Sequence, residues 1–375
     1  MDRIKYKIII FAKEIKNMFN NVIEHIFISK KSFFKKRIIL RTKIIRRQIA
    51  NKYFKKNKTQ ININRELVKD VFFTHKKINF IDTPFIYYVK QNIDKLLKNT
   101  FDFFNDYQVK IGIEIEFYCF NIENITSFKK QVKDFSIQNK IEIIDIISER
   151  GKDQYEVRFQ PYINIYKLIT DYNALKNYLI TNFHADFSAK PIYYDVGSAL
   201  QINLSINKNG QNLFAKILNK ESDIFNNSVA GLIKFTNYFL PLYTKDKTCL
   251  KRYDEEFNNF VFINGKMPSP SYNAWGINNR TASLRIPTAQ NFYDKEQYFI
   301  ENNNNRRIEF RVPSANADIK LVLYGVLSSI KYGIQNNLQP QEQTVSNLLE
   351  SNYNCERIKL EQITFAELLN INFEI

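Results

Sequence analysis

Four short segments of this chain alternate with a period of two, and in each the polar residues share one parity. Gly112–Phe117 (G-I-E-I-E-F) sets Glu114 and Glu116 against Ile113, Ile115 and Phe117. Gln154–Phe159 (Q-Y-E-V-R-F) sets Glu156 and Arg158 against Tyr155, Val157 and Phe159. Ala199–Ile206 groups Gln201, Asn203 and Ser205, and Arg306–Pro313 groups Arg307, Glu309 and Arg311. Successive strand residues point to opposite faces, so each segment predicts a strand with one apolar and one polar face. A single strand of this kind is most simply half-buried, with its charges in water. Four together predict a shared pocket if the sheet curves and closes. Carboxylates gathered in a pocket repel one another and need cations beside them. Their hard oxygens suit Mg²⁺ or Mn²⁺, and guanidinium forks suit phosphate. That combination points to phosphoryl transfer from a nucleotide, where the protein supplies position and neutralises charge. No Walker glycine loop is present, which excludes a P-loop enzyme.

The elements that must carry these faces can be placed around them. A helix over 88–105 leads into the strand Val109–Phe120. Helical patterns follow at 161–184, 211–220, 225–240 and 316–335, the last with Asn316 as N-cap. The fold class expected is α+β: a curved antiparallel sheet with helices packed outside, plus a basic helical N-terminal extension.

That extension holds most of the net charge of +17: residues 1–60 contain 18 Lys or Arg against 3 acids, leaving about +2 for the rest. The basic character therefore belongs to an appendage and not to a nucleic-acid-binding fold. Residues 1–28 read as a helix whose apolar run Ile8–Ala12 is too short to span a bilayer. Lys30–Lys58 reads as a basic amphipathic helix, fit to lie on an anionic membrane surface, to contact RNA, or to cover part of its own core. The expected division is 1–60 extension, 61–89 linker or remnant N-terminal domain, and 90–375 catalytic domain. With 32 Phe and 22 Tyr, a disordered or fibrous chain is excluded. Cys119, Cys249 and Cys355 give no disulfide framework or zinc spacing, which predicts a reducing, cytoplasmic compartment. His25, His75 and His184 form neither a ligand pair nor a triad.

Five motifs, in order over residues 90–335, resemble the catalytic domain of glutamine synthetase. They are Gly112–Phe117, the Glu149–Glu156 loop and strand, Lys190-Pro191 with Gly197–Gln201, Asn279–Pro287 (N-R-T-A-S-L-R-I-P), and Arg307–Asn316. The resemblance implies two divalent metals, Mg²⁺ or Mn²⁺, between ATP and glutamate. Glu116, Glu149 and Glu156 match the ligands of one. Glu114, Glu309 and the position of Gln201 match those of the other. Arg280, Arg285 and Arg307 match arginines on the ATP phosphates or the transferring phosphoryl group, with Arg280 catalytic and Ser205 near the nucleotide. Arg311 matches the arginine that holds glutamate, Arg252 is a candidate for a second, and Gly197 lies in the glutamate-contacting loop. The implied reaction is phosphorylation of the γ-carboxylate by ATP, then attack by ammonia or a small amine, in a homo-oligomer. Three departures stand out. Gln201 replaces a metal-binding His, and Val196 replaces an Asn that contacts glutamate in relatives. The family's flap glutamate has only Glu255 and Glu256 as candidates, in a stretch from Arg252 to Arg280 that is longer than in relatives. The family's small β-grasp N-terminal domain is not recognisable in residues 1–89. These departures leave a rival expectation, a non-catalytic glutamine-synthetase-like binding or regulatory protein. Trp275 is expected in the core or the pocket wall.

Overall fold

Alternation becomes sheet wherever the apolar parity can be covered. The computed structural model describes residues 84–360, apart from 193–194, 219, 288, 291–298, 301–302, 346–347 and 350–357. These residues fall within one compact unit, Ile78–Ile363. The helices expected in 1–28 and 30–58 and the mixed stretch that follows lie outside the described residues, as do residues 361–375. Among the described residues no helix is long and apolar enough to cross a membrane.

The expected helix at 88–105 is two helices, α1 (Pro84–Gln91) and α2 (Ile93–Asp102). Asn92 breaks them: its side chain donates to Tyr88 O at 3.0 Å, competing with the backbone ladder. Strand β1 (Gln108–Tyr118) follows, then α3 (Ile125–Gln138) and β2 (Ile143–Ser148). Neither α3 nor β2 was expected, because neither carries a polar face of the kind that marks the other strands. β3 (Gln154–Phe159), α4 (Ile165–Phe183) and β4 (Leu200–Lys208) come next.

The helix expected over 211–220 does not form. Gln211–Asn212 is instead a short strand, β5, that turns back onto β4 through Asn209-Gly210. Both turn residues have positive φ, 50° and 79°, as an Asn-Gly hairpin requires. α5 (Asp223–Phe235), α6 (Leu240–Tyr243) and a 3₁₀ segment (Lys247–Tyr253) lead to α7 (Glu255–Ile263). β6 (Tyr272–Ile277) and β7 (Ala282–Ile286) precede the small pair β8 (Ala289–Gln290) and β9 (Phe299–Ile300). β10 (Ile308–Phe310) and α8 (Ile319–Gln335) complete the described body. The N-cap of α8 is Asp318, whose carboxylate accepts from Lys320 N at 2.8 Å. Asn316, the expected cap, instead accepts from Cys249 Sγ.

The main sheet has the order β2-β3-β1-β4-β10-β7-β6, with β5 on β4. It is open, not closed as the pocket expectation required, and β2 and β6 are its outer strands. Its pairings are antiparallel except β6–β7, which run parallel. Where that register slips, Ser283 Oγ accepts from Ala274 N and donates to Ala274 O, standing in for ladder bonds. The apolar parity (Ile113, Ile115, Val157, Ile202, Leu204, Phe310) is fully buried. Helices cover it through Phe117–Phe128, Phe159–Tyr172 and Phe310–Tyr243 ring contacts, from α3, α4 and α6. Part of the polar parity is buried as well (Glu156, Gln201, Asn203, Glu309 and Arg311), while Glu114, Glu116, Arg158, Ser205 and Arg307 are half-buried. The buried charges among them, Glu156, Glu309 and Arg311, must be paired.

Candidate active site

Strand register assembles the polar faces. Glu116 sits opposite Glu156 and Glu114 opposite Arg158 across β1–β3. Glu114 sits opposite Gln201 across β1–β4. Glu309 of β10 lies between Asn203 and Arg285 on its two neighbours. The side chains then bond largely along diagonals. Gln201 Nε2 donates to Glu116 Oε1 at 2.7 Å, and Asn203 Nδ2 to Glu114 Oε1 at 3.0 Å. Arg307 Nε donates to Asn203 Oδ1 at 2.9 Å. Arg285 and Arg311 clamp Glu309, one on each oxygen, at 2.6 and 2.8 Å. Arg158 donates to Glu156 at 2.7 Å.

The two ends of this face differ in electrostatics. Burial, then repulsion from Glu149, raises Glu116 to about 7. Burial, with Glu114, Glu116 and Glu149 adding to it, raises Glu156 to about 9, despite its bond to Arg158. Burial and Glu309 also raise Glu114. Burial alone would raise Glu309 too, but Arg311 and Arg285 hold it below its ordinary value. One end is therefore short of positive charge, and the other is not.

Loops bring Glu149 and Gly197 to the carboxylate end. Gln154 accepts from Gly151 N and donates to Gly197 O at 3.1 Å, tying the Glu149 loop to the Gly197 loop. Asp195 adds a second tie: it accepts from Lys152 N, Val196 N and Lys266 Nζ. Ala199 N donates to Glu116 Oε2 at 2.8 Å. Gly197 is required by space, since a Cβ there would lie 2.7 Å from Arg252 Cγ.

Several expected residues are placed differently. Arg252 is 2% exposed and spends its guanidinium on the main chain. It donates to Arg311 O at 2.7 Å, Val312 O at 2.7 Å and Pro313 O at 3.2 Å. It thus holds the backbone that carries Arg311 and does not present itself to a substrate. Gln201 offers Glu116 its amide N–H, not an oxygen for a metal. Glu255 pairs with Lys359 at 2.9 Å, and both Glu255 and exposed Glu256 occupy the first turn of α7, where a helix favours acids. Arg280 is exposed beyond the clamp, near enough to act on Glu309 and Arg285. Ser205 accepts from Asn207 Nδ2 at 3.2 Å. Trp275 is buried on β6, with Nε1 donating to Gln341 O, as a wall residue would be.

Arg158, Asn203, Lys190 and Asp195 were not singled out as site residues. The first two share parity with Glu156 and Gln201, which was the signal available. Lys190 and Asp195 lie in a loop with no period to read. Burial, with Arg252 adding to it against the pull of Asp195, lowers the Lys190 ammonium to about 7.

Among the described residues no three His, Cys, Asp or Glu side chains already form a metal cage. Glu116, Glu149 and Glu156 nevertheless fit one by charge, because their mutual repulsion is what a hard dication would relieve. Polar atoms of Glu114, Gln201 and Glu309 are engaged by neighbouring amides and arginines, as those of Glu116 and Glu156 are by Ala199 N, Gln201 and Arg158. Arg285 and Arg311 each retain a buried Nε without a hydrogen-bond partner, a donor suited to an anion.

Residues 121–364 match the family model of the glutamine synthetase catalytic domain. The chain is 25% identical over 240 residues to the gamma-glutamylputrescine synthetase PuuA of Escherichia coli strain K12, covering 62% of this chain and 46% of that one. It is 30% identical over 174 residues to a glutamine synthetase of Clostridium saccharobutylicum, covering 44% and 33%. The chain thus spans half or less of the length of these relatives. Its fold resembles Plasmodium falciparum glutamine synthetase with a TM-score of 0.52 at 17% identity, over 66% of this chain and 56% of that one.

Proposed function

Because the chain belongs to the glutamine synthetase family, we propose that it is an ATP- and divalent-cation-dependent ligase joining the γ-carboxyl of glutamate to ammonia or a small amine. The observation that carries this reading is the polarity of the polar face. Glu116, Glu149 and Glu156 are short of positive charge at one end, even with Arg158 on Glu156, and Arg285 and Arg311 surround Glu309 at the other. A γ-carboxylate oxygen attacks the γ-phosphorus of ATP, and ADP leaves. The amine nitrogen attacks the resulting acyl carbon, inorganic phosphate leaves, and a base takes the nitrogen's proton. Glu255 and Glu256 are the candidates for that base. When bound, a Mg²⁺ or Mn²⁺ ion would neutralise negative charge that develops in the transfer. Glu116, Glu149 and Glu156 would hold it. Arg280, Arg285 and Arg307 face phosphate oxygens, and Arg311 orients the amino-acid end of glutamate, with the Gly197 loop beside it. Ser205 would lie toward the nucleotide. Assembly as a homo-oligomer belongs to the same proposal.

A second reading, a non-catalytic relative that still binds nucleotide, is favoured by Gln201 donating to Glu116 where a metal ligand is expected. Phosphate release separates the two. The purified chain would be given ATP, Mg²⁺ and glutamate, with ammonia and then a panel of amines. Glutamate-dependent release with at least one acceptor is expected. Release with none would overturn the ligase, and retained ATP binding would then support the second reading.

A further inference from the structure

Only four residues, 278–281, join β6 to its parallel neighbour β7, and Arg280 is one of them. Parallel strands are ordinarily joined by about a dozen residues or more. A connection this short has little room for bonds of its own, and the segment after α8 supplies them. Thr344 is 4% exposed and lies against β6, where its N–H and its hydroxyl both donate to Trp275 O at 2.8 Å. The hydroxyl oxygen accepts from Asn279 Nδ2 at 2.9 Å. Asn279 Oδ1 in turn accepts from Thr281 N at 3.0 Å and from Thr281 Oγ1 at 2.6 Å, spanning Arg280. Thr281 Oγ1 accepts from Leu348 N at 3.0 Å. The residues on either side of Arg280 are thus each bonded to the 341–348 segment. That segment is itself seated: Gln341 O accepts from Trp275 Nε1, and Leu348 is buried with Tyr272, Ala274 and Ala282. The approach is close, since a Cβ at Gly276 would lie 2.4 Å from Thr344 O. Arg280 itself is exposed, and its charge reaches Glu309 and Arg285.

Resting on the ligase reading, in which Arg280 meets the transferring phosphoryl group, we propose that Thr344 is a positioning residue for Arg280. Its hydroxyl fixes Asn279, Asn279 fixes Thr281, and the backbone between them presents the guanidinium at the arginine end of the polar face. A residue that merely covered the outer edge of β6 would act on stability and not on turnover.

Thr344→Val removes the hydroxyl and keeps the branched shape, whereas Thr344→Ser keeps the hydroxyl. Hydrogen exchange of the full chain is read by mass spectrometry, and phosphate release is read with ATP, Mg²⁺, glutamate and ammonia or an amine. In Thr344→Val the amides of 278–282 should exchange roughly 2–10-fold faster, the worth of one net hydrogen bond. The kcat should fall by roughly the same 2–10-fold, because only the held connection presents Arg280. The KM for glutamate should stay unchanged, because Arg311 and the Gly197 loop are untouched. Thr344→Ser should restore both exchange and kcat. Unchanged exchange at 278–282 would overturn the inference. So would faster exchange with kcat unchanged, or a Thr344→Val chain that unfolds as a whole while Thr344→Ser stays folded. Those results leave the ligase reading standing, because the parent still releases phosphate. A parent that releases none removes the ligase reading and the inference together, and shows itself before any variant is made.

Discussion

Gln201 donates to Glu116 at 2.7 Å, diagonally across a register in which it faces Glu114. The bond gives a half-buried, repelled carboxylate one of its few donors. Gln201→Leu should leave Glu116 Oε1 unsatisfied and cost about 1–3 kcal/mol of stability, measured by urea unfolding. Gln201→Glu should cost more, and most at high pH, because it adds a carboxylate beside the first. A Gln201→Leu protein as stable as the parent would show that the bond is incidental.

Arg252 is expected to behave as a scaffold residue. Arg252→Met removes three bonds to the carbonyls of residues 311–313. Charge-assisted bonds are worth about 1.5–3 kcal/mol each, so the midpoint of thermal unfolding should drop clearly. A variant of unchanged stability that alone loses affinity for glutamate would return Arg252 to the substrate pocket.

Stability of the metal-free protein should depend on pH with a definite sign. A carboxyl whose folded pKa is raised holds more protons folded than unfolded. Its contribution is complete below the unfolded value and is lost as pH rises through the folded one. With Glu116 at about 7 and Glu156 at about 9, from 4.5, the midpoint should fall between about pH 5 and about pH 9. Glu156→Gln should flatten the upper part of that decline, and Mg²⁺ should reduce it throughout. Calorimetry across the range reads this directly; a midpoint that climbs instead would refute it.

The crossing of α5 and α8 should tolerate no added methyl. A Cβ at Gly231 would lie 2.1 Å from Ser329 O, and one at Gly333 would lie 2.0 Å from Asn227 O. Both neighbours are backbone, so neither can swing aside. Gly231→Ala and Gly333→Ala should each cost about 1–3 kcal/mol or more through overpacking, scored by denaturant midpoint. A null effect would mean that the helices can separate.

The sequence carried the strands that bear the polar residues, because a period of two survives any tertiary arrangement. It also carried the family, because Asn279–Pro287 and the glutamate strands keep type and spacing together. α3 and β2 had no such mark, and the 211–220 segment showed a helical pattern while Asn209-Gly210 dictated a hairpin. What the tertiary structure decided was partnership. Parity says that Gln201 and Glu116 share a face, but not that one donates to the other. The family resemblance made Arg252 a candidate for a second substrate arginine, yet packing buries it against the carbonyls of 311–313. Nor could the sequence show that β7 and β10 set an arginine on each oxygen of Glu309. The reason is physical. Side-chain direction is local and follows from backbone geometry, whereas the neutralisation of a buried charge depends on which other strands register beside it.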